Sequence, residues 1–188
     1  MSRHPVEGCV EAVILRPARK VDAIGVEQAL AIPGRGLEGD RYAQGERAGS
    51  VPRARQMTIV QAEHLPLVAA WTGHSAIDPR WLRRNLVVSG INLLSMRSPF
   101  PELKFLWRIG TEAIIEVSGP CDPCSRMESM LGDGGYNALR GHGGLTARIL
   151  VGGLIRVGDR VTIETATQPE SAAGIEKDKP YSKPGAPG

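Results

Sequence analysis

The feature that most constrains the fold is the rhythm of the chain between Leu103 and Thr165. Five short runs rich in Val, Ile, Leu and Thr, "LKFLWRIG", "TEAIIEVSG", "LTARILVGG", "LIRVGD" and "RVTIET", are broken by Gly110-Thr111, Gly152-Gly153 and Gly158-Asp159. β-Branched and aromatic residues suit a pleated sheet, and Gly and Asp supply the tight turns between strands. The pattern lacks the alternating helices of a strand–helix–strand sheet. It predicts a mainly β, barrel-like domain with a few short helices.

The first half carries weaker signals of the same kind. Val10–Leu15 reads as a strand with apolar residues on both faces, and Gln56–Val60 and Leu86–Ser89 read as further strands. Gln61–Trp71 suits a helix that Pro66 shortens or kinks. Asp78-Pro79 reads as the N-cap and first residue of another helix. Between them, Gly34–Arg55 is a long loop rich in Gly and Arg, and such loops are functional or disordered. From Ala166 onward Pro, Gly, Ser and charge replace large apolar residues. The expected organisation is one domain over residues 1–165 and a disordered tail over residues 166–188.

Composition removes several classes of function. The 188 residues, 41% hydrophobic, can build one domain with a core. No apolar run approaches the roughly 18 residues of a membrane span. The first residues lack a signal-peptide pattern, so a cytoplasmic protein is expected. A net charge of +3 with 4% aromatic residues gives no reason to expect nucleic-acid binding. Eighteen Arg stand against five Lys. A GC-rich genome produces that bias, and so does an anion-binding face built from planar guanidinium forks.

Three cysteines are an odd and sparse set, which argues against a disulfide scaffold. Two of them fall in "GPCDPCSR", as Cys121 and Cys124, and four readings compete. A zinc site needs four ligands, and the pair with His142 makes three. A thioredoxin-like switch needs a strand–helix–strand setting that this chain lacks. Two buried, inert thiols are the plain structural reading. The remaining reading is a thiolate: the prolines and glycine stiffen the loop, a helix beginning at Ser125 turns N–H groups toward Cys124, and Arg126 adds positive charge. A thiolate is also a soft metal ligand.

Glycine-rich stretches flank this motif in sequence. "GRGLEGDR" carries Arg41, and "GGYNALRGHGGLTAR" carries Arg140, His142 and Arg148. Backbone N–H groups and Arg forks in such loops suit phosphate. Neither stretch is a P-loop or a dinucleotide fingerprint.

Taken in order, "GRGLEGDRYA", "RQMTIVQAEHL", "RRNLVVSGINLLSM", "GPCDPCSRMES" and "GHGGLTARILVGGLIRVGDRV" resemble the motifs of the MOSC domain, named for the C-terminal domain of molybdenum cofactor sulfurase. The resemblance spans residues 8–164 and implies a β-barrel-like fold working around molybdopterin. It implies a protein that binds the molybdenum cofactor and reduces N-hydroxylated small molecules, with Cys124 as the metal ligand and catalytic residue. The alternative it carries is a persulfide or cofactor carrier in molybdoenzyme maturation. Arg41, Arg84 and Asn85 are the pocket residues it transfers, with Cys121, Arg126 and His142 as further cofactor-binding candidates. Arg41 and Arg84 are expected to share a polar cleft with an accessible Cys124.

The chain departs from the larger reductases of that family. It has little sequence ahead of the glycine loop and no iron–sulfur or flavin signature. An oxidoreductase of this kind needs a separate electron-transfer protein, and a carrier needs a molybdoenzyme or sulfurase partner. Lys20 and Lys104 stand in no phosphate-cradling context, so pyridoxal phosphate chemistry is not expected.

Overall fold

A computed structural model describes residues 6–44, 54–100 and 104–166. Its first half contains β1 (Gly8–Leu15), β2 (Ile24–Val26), β3 (Gln28–Ile32), β4 (Gly36–Leu37) and β5 (Met57–Gln61). Two helices follow, α1 (His64–Thr72) and α2 (Pro79–Leu82), then β6 (Leu86–Ser89) and a 3-10 turn at Leu93–Met96. The second half runs β7 (Lys104–Ile109), β8 (Ala113–Pro120), α3 (Ser125–Leu131), α4 (Gly135–Ala138), β9 (Leu145–Val151), β10 (Gly153–Arg156) and β11 (Arg160–Ala166).

The main sheet has the order β11-β7-β8-β9-β5-β6-β1-β2. It closes on itself because β1 also pairs with β11, Gly8 opposite Val161 and Cys9 opposite Arg160. The result is a seven-stranded barrel with β2 as an extension. Its neighbours are antiparallel except β5 and β6, which run parallel, as their linking segment holds α1 and α2. A smaller sheet, β10-β3-β4, lies beside the barrel.

Period-two alternation fills the barrel. In β7, Phe105, Trp107 and Ile109 are buried and the residues between them are half-buried. They join Val10, Met57, Ile59, Leu86, Ile115 and Ala147 in the interior. Trp107 is fully buried, and its indole N–H donates to the Met96 carbonyl at 3.0 Å. β5 is buried along its whole length because its other face is covered too. Ile14, Val60 and Val87 point outward into a second apolar cluster, beneath Val68 and Ala69 of α1, Leu82 of α2, and Met127 and Leu131 of α3. This layer puts the helices against one side of the barrel and sets their ends around the functional motifs.

Several expectations shift. The first helix starts at His64, so Pro66 sits in its first turn, where a missing N–H breaks no helical bond. The loop expected over Gly34–Arg55 contains β4, and residues 45–53 lie outside the described residues. β2, β3, α4 and the 3-10 turn had no clear sequence signal. β11 runs through Ala166, and the expected tail beyond it lies outside the described residues.

Candidate functional site

The site grows from a buried polar frame. Asp40, at the end of the glycine loop, is 1% exposed. Arg16, just after β1, donates to its carboxylate through Nε at 2.8 Å, Nη2 at 3.1 Å and its own backbone N–H at 3.0 Å. The Tyr42 N–H and the Asn85 amide add bonds at 3.0 Å each. Burial pushes the Asp40 carboxyl up, but the Arg16 bonds and charge, with the backbone N–H groups, hold it below its usual range. The Asn85 side-chain oxygen accepts from Arg16, from the Thr58 N–H and from the Thr58 hydroxyl. One network therefore fixes the glycine loop, the end of β1, the start of β5 and the "RRN" segment to one another.

The two arginines of that segment part company. Arg84 is 5% exposed and donates to four backbone carbonyls: Gly143 at 2.7 Å, Leu82 at 2.9 Å, Cys121 at 3.2 Å and Asp122 at 3.5 Å. Burial, above all, lowers its basicity, Arg55 adds to that, and the neighbouring Cys121 and Cys124 oppose it. Arg84 is thus a clamp that ties the cysteine loop to α2 and to the 141–144 loop. Arg83 precedes it in a left-handed conformation with φ 57°. Its Nη1 donates to the Val21 carbonyl at 2.8 Å. Burial and then the charges of Arg126, Arg41 and Arg16 weaken its hold on its proton, with Asp40 opposing. Arg83 stands in a cationic cluster that Asp40 only partly offsets.

The cysteines also differ. Cys124 is exposed and occupies the N-cap position of α3, where its carbonyl accepts the Met127 N–H at 2.8 Å. Cys121 is buried, its Sγ accepts from Arg55 Nη2 at 3.4 Å, and its N–H donates to the Gly144 carbonyl at 2.8 Å. Both thiols are free. The glycines of "GHGG" explain how this loop is so close: a Cβ on Gly143 would stand 2.3 Å from the Cys121 carbonyl oxygen.

Arg41 is half-buried against the Tyr42 ring, 4.9 Å from its centroid, and its Nε is buried with no hydrogen-bond partner among the described residues. Arg126, in the first turn of α3, makes no hydrogen bond or ion pair among the described residues and lines a cleft of about 240 Å³ with Arg83. His142 turns the other way. Its ring meets His64 of α1 at 4.6 Å and Trp71 at 5.1 Å, and its buried Nδ1 has no hydrogen-bond partner among the described residues. No group of three or more His, Cys, Asp and Glu side chains is gathered among the described residues.

Of the residues singled out in the sequence, the structure places Arg84 on the cysteine loop's backbone, Asn85 in the frame beneath it, and Arg41 and Arg126 both near Arg83. His142 lies on the α1 side. Arg83 and Arg55 were missed. "RR" presents two identical side chains, and only the left-handed turn at the first separates their destinations. Arg55 sits at the end of a long loop with no local pattern.

The family model of the MOSC domain matches residues 39–162. The crystal structure of the YuaD protein from Bacillus subtilis is similar, with 20% identity and a TM-score of 0.66 over 86% of this chain and 97% of that one. YiiM from Geobacillus stearothermophilus is similar at 16% identity and TM-score 0.63, over 84% of this chain and 75% of that one. YiiM from Escherichia coli has 16% identity and TM-score 0.61, over 86% and 71%. No curated protein matches the chain. At these identities the solved structures speak for the barrel alone, and it is the match over most of the chain, from the glycine loop to β11, that makes this protein a member of the MOSC domain family.

Proposed function

We propose that this chain binds the molybdenum cofactor, with the Cys124 sulfur as metal ligand, and that it reduces N-hydroxylated small molecules. One observation carries the reading: an exposed thiol stands on a loop clamped by Arg84, with an under-compensated group of arginines close by. The residues fit such a group. A thiolate is a soft donor for a metal of this kind. The unpartnered Arg41 Nε, with the donors of Arg83 and Arg126, suits the pterin's phosphate. Arg84 and Asn85 serve by positioning, Cys121 by anchoring its end of the loop, and His142 by packing the 141–144 loop on α1.

When bound, the cofactor supplies a metal centre able to pass two electrons. Reduction of an N-hydroxyl compound to the amine consumes two electrons and two protons and releases water, so a separate cytoplasmic electron-transfer protein completes the cycle. The exposure of Cys124 also favours a second reading, a carrier that hands a persulfide or the cofactor to a molybdoenzyme or sulfurase partner.

The test is metal and sulfur analysis of the full chain from a host that makes the cofactor. Stoichiometric molybdenum that is lost in Cys124→Ala and kept in Cys121→Ala, with dithionite-driven hydroxylamine reduction, is the expected result. A Cys124 persulfide without metal favours the carrier. Neither molybdenum nor persulfide on Cys124 removes both readings.

A further inference from the structure

We propose that the outer face of α1 is a self-association surface, through which two copies of this chain pack about a two-fold axis with Trp71 of each seated in a groove of the other. The inference stands apart from the cofactor reading.

α1 has the composition of an interior helix but lies half outside. Its sequence, "HLPLVAAWT", has no charged residue and is apolar on every side. A helix of that kind is normally enclosed. Here only Val68 and Ala69 are buried, with Leu65 packed at the edge of the second apolar cluster. Pro66, Leu67, Ala70 and Trp71 are exposed, Leu67 at 44% and Trp71 at 55%. α4 packs beside α1 and adds Tyr136, 40% exposed. Counting about 200 Å² for a whole aromatic side chain, these five residues leave about 400 Å² of apolar surface open. A standard interface takes about 800 Å² from each partner, a little over half of it apolar. The open face of α1 is thus of the size that one copy of a dimer contributes.

The face carries both halves of a contact. Helical residues advance by about 100° each, so Leu67 and Trp71 form one shoulder, Pro66 and Ala69 the other, and Ala70 lies between. Beside the second shoulder is a groove of about 310 Å³, lined by Leu65, Pro66, Ala69, Ala70, His74 and Ile77. It has room for an indole. Trp71 is held ready for it, because its ring rests against His142 with centroids 5.1 Å apart. A two-fold axis along α1 exchanges the shoulders and so brings each Trp71 to the other copy's groove. The small Ala70 at the centre lets the two helices approach closely. A Trp enclosed in a partner's pocket is the common energetic anchor of an interface.

The chemistry favours a second copy over other occupants. A charged partner finds no ion pair on α1. An anionic membrane surface calls for Lys and Arg beside the apolar residues, and α1 has neither. Two chains of net charge +3 repel one another, and an uncharged face lets them meet with the least repulsion.

An interface of this size is expected to dissociate in the micromolar range, so the full chain is followed by sedimentation equilibrium from about 1 to about 200 μM. The mass should rise from that of one chain to that of two. Trp71→Ala should raise the dissociation constant at least about thirtyfold, the effect of losing one anchor residue. Ala70→Glu should abolish the dimer, and circular dichroism checks that both variants are folded. Ala70→Cys, in a Cys124→Ser background, should cross-link two chains when hydrogen peroxide takes two electrons and two protons from the paired thiols and is reduced to water. Leu94→Cys, at a position 65% exposed elsewhere on the chain, should not. A chain that stays monomeric at the highest concentration overturns the proposal, whether the α1 face then proves to hold lipid vesicles or a different protein. A dimer that Trp71→Ala and Ala70→Glu both leave intact, or that Leu94→Cys cross-links as readily as Ala70→Cys, uses another face and overturns it too.

Discussion

Arg83 and Arg84 are adjacent, yet the consequences of losing them should be opposite. Arg84 bonds four backbone carbonyls, three of those bonds buried, and bonds to a charged group are worth about 1.5–3 kcal/mol each before the fold relaxes. Arg84→Ala should therefore lower unfolding stability by about 3 kcal/mol in urea titrations. It should also expose the Cys121 thiol to alkylation, because the cysteine loop loses its clamp. Arg83 donates one bond to a backbone oxygen. Arg83→Ala should change stability by less than about 1 kcal/mol and act instead on retention of molybdenum through purification. Equal stability losses in the two variants would count against this division of roles. The cysteines divide along the same line: Cys121→Ala removes a buried sulfur and should cost about 1 kcal/mol, while Cys124→Ala removes an exposed one and should cost almost nothing.

At the scale of elements, legibility followed locality. Ser125–Leu131 and Leu86–Ser89 are readable because their own turn residues bound them, and the Asp78 cap was visible for the same reason. β3 was not readable. "QALAI" has weak strand preference and exists because Ala29 and Ala31 pack under the barrel while β10, far along the chain, pairs with it. α4 was hidden among glycines, since the Glu128 carboxylate fixes its start by accepting the Gly134 and Tyr136 N–H groups. The site followed the same rule. The cysteine motif could be read, but that Arg83 turns to the cationic cluster and Arg84 to the cysteine loop depends on long-range packing.

The contact between α1 and the 141–144 loop gives a pH prediction. Burial first, and then the charge of His142, hold the His64 imidazole below its ordinary value of 6.5, with Glu63 opposing. The folded chain then binds this proton less readily than the unfolded chain. Its contribution to stability is full above pH 6.5 and is lost as pH falls through that value toward the lower folded one. Urea midpoints should fall between pH 7.5 and 5.5, and His64→Gln should flatten that fall. Asp40 does not contribute in this window, because its carboxyl is held low and titrates only in stronger acid.

For the whole molecule the decisive event is closure. β1 and β11 come from opposite ends of the domain, and only their pairing turns an open sheet into a barrel without free edges. β11 also pairs with β7 from Val161 to Ala166 and buries Val161 in the core. Beyond Ala166 the sequence offers Ile175 and Tyr181 as its only large apolar or aromatic side chains, too little to bury a second surface. Two truncations should therefore differ sharply. Ending the chain at Ala166 should move Tm by no more than about 2 °C, since 1 kcal/mol corresponds to about 2–4 °C in a chain of this size. Ending it at Asp159 removes all of β11, opens the barrel along both β1 and β7, and uncovers the Trp107 strand. That form should lose its cooperative thermal transition. A Tm drop of more than about 5 °C on ending at Ala166 would show that residues 167–188 add to the fold, and a cooperative transition in the shorter form would show that closure by β11 is not what holds the barrel together.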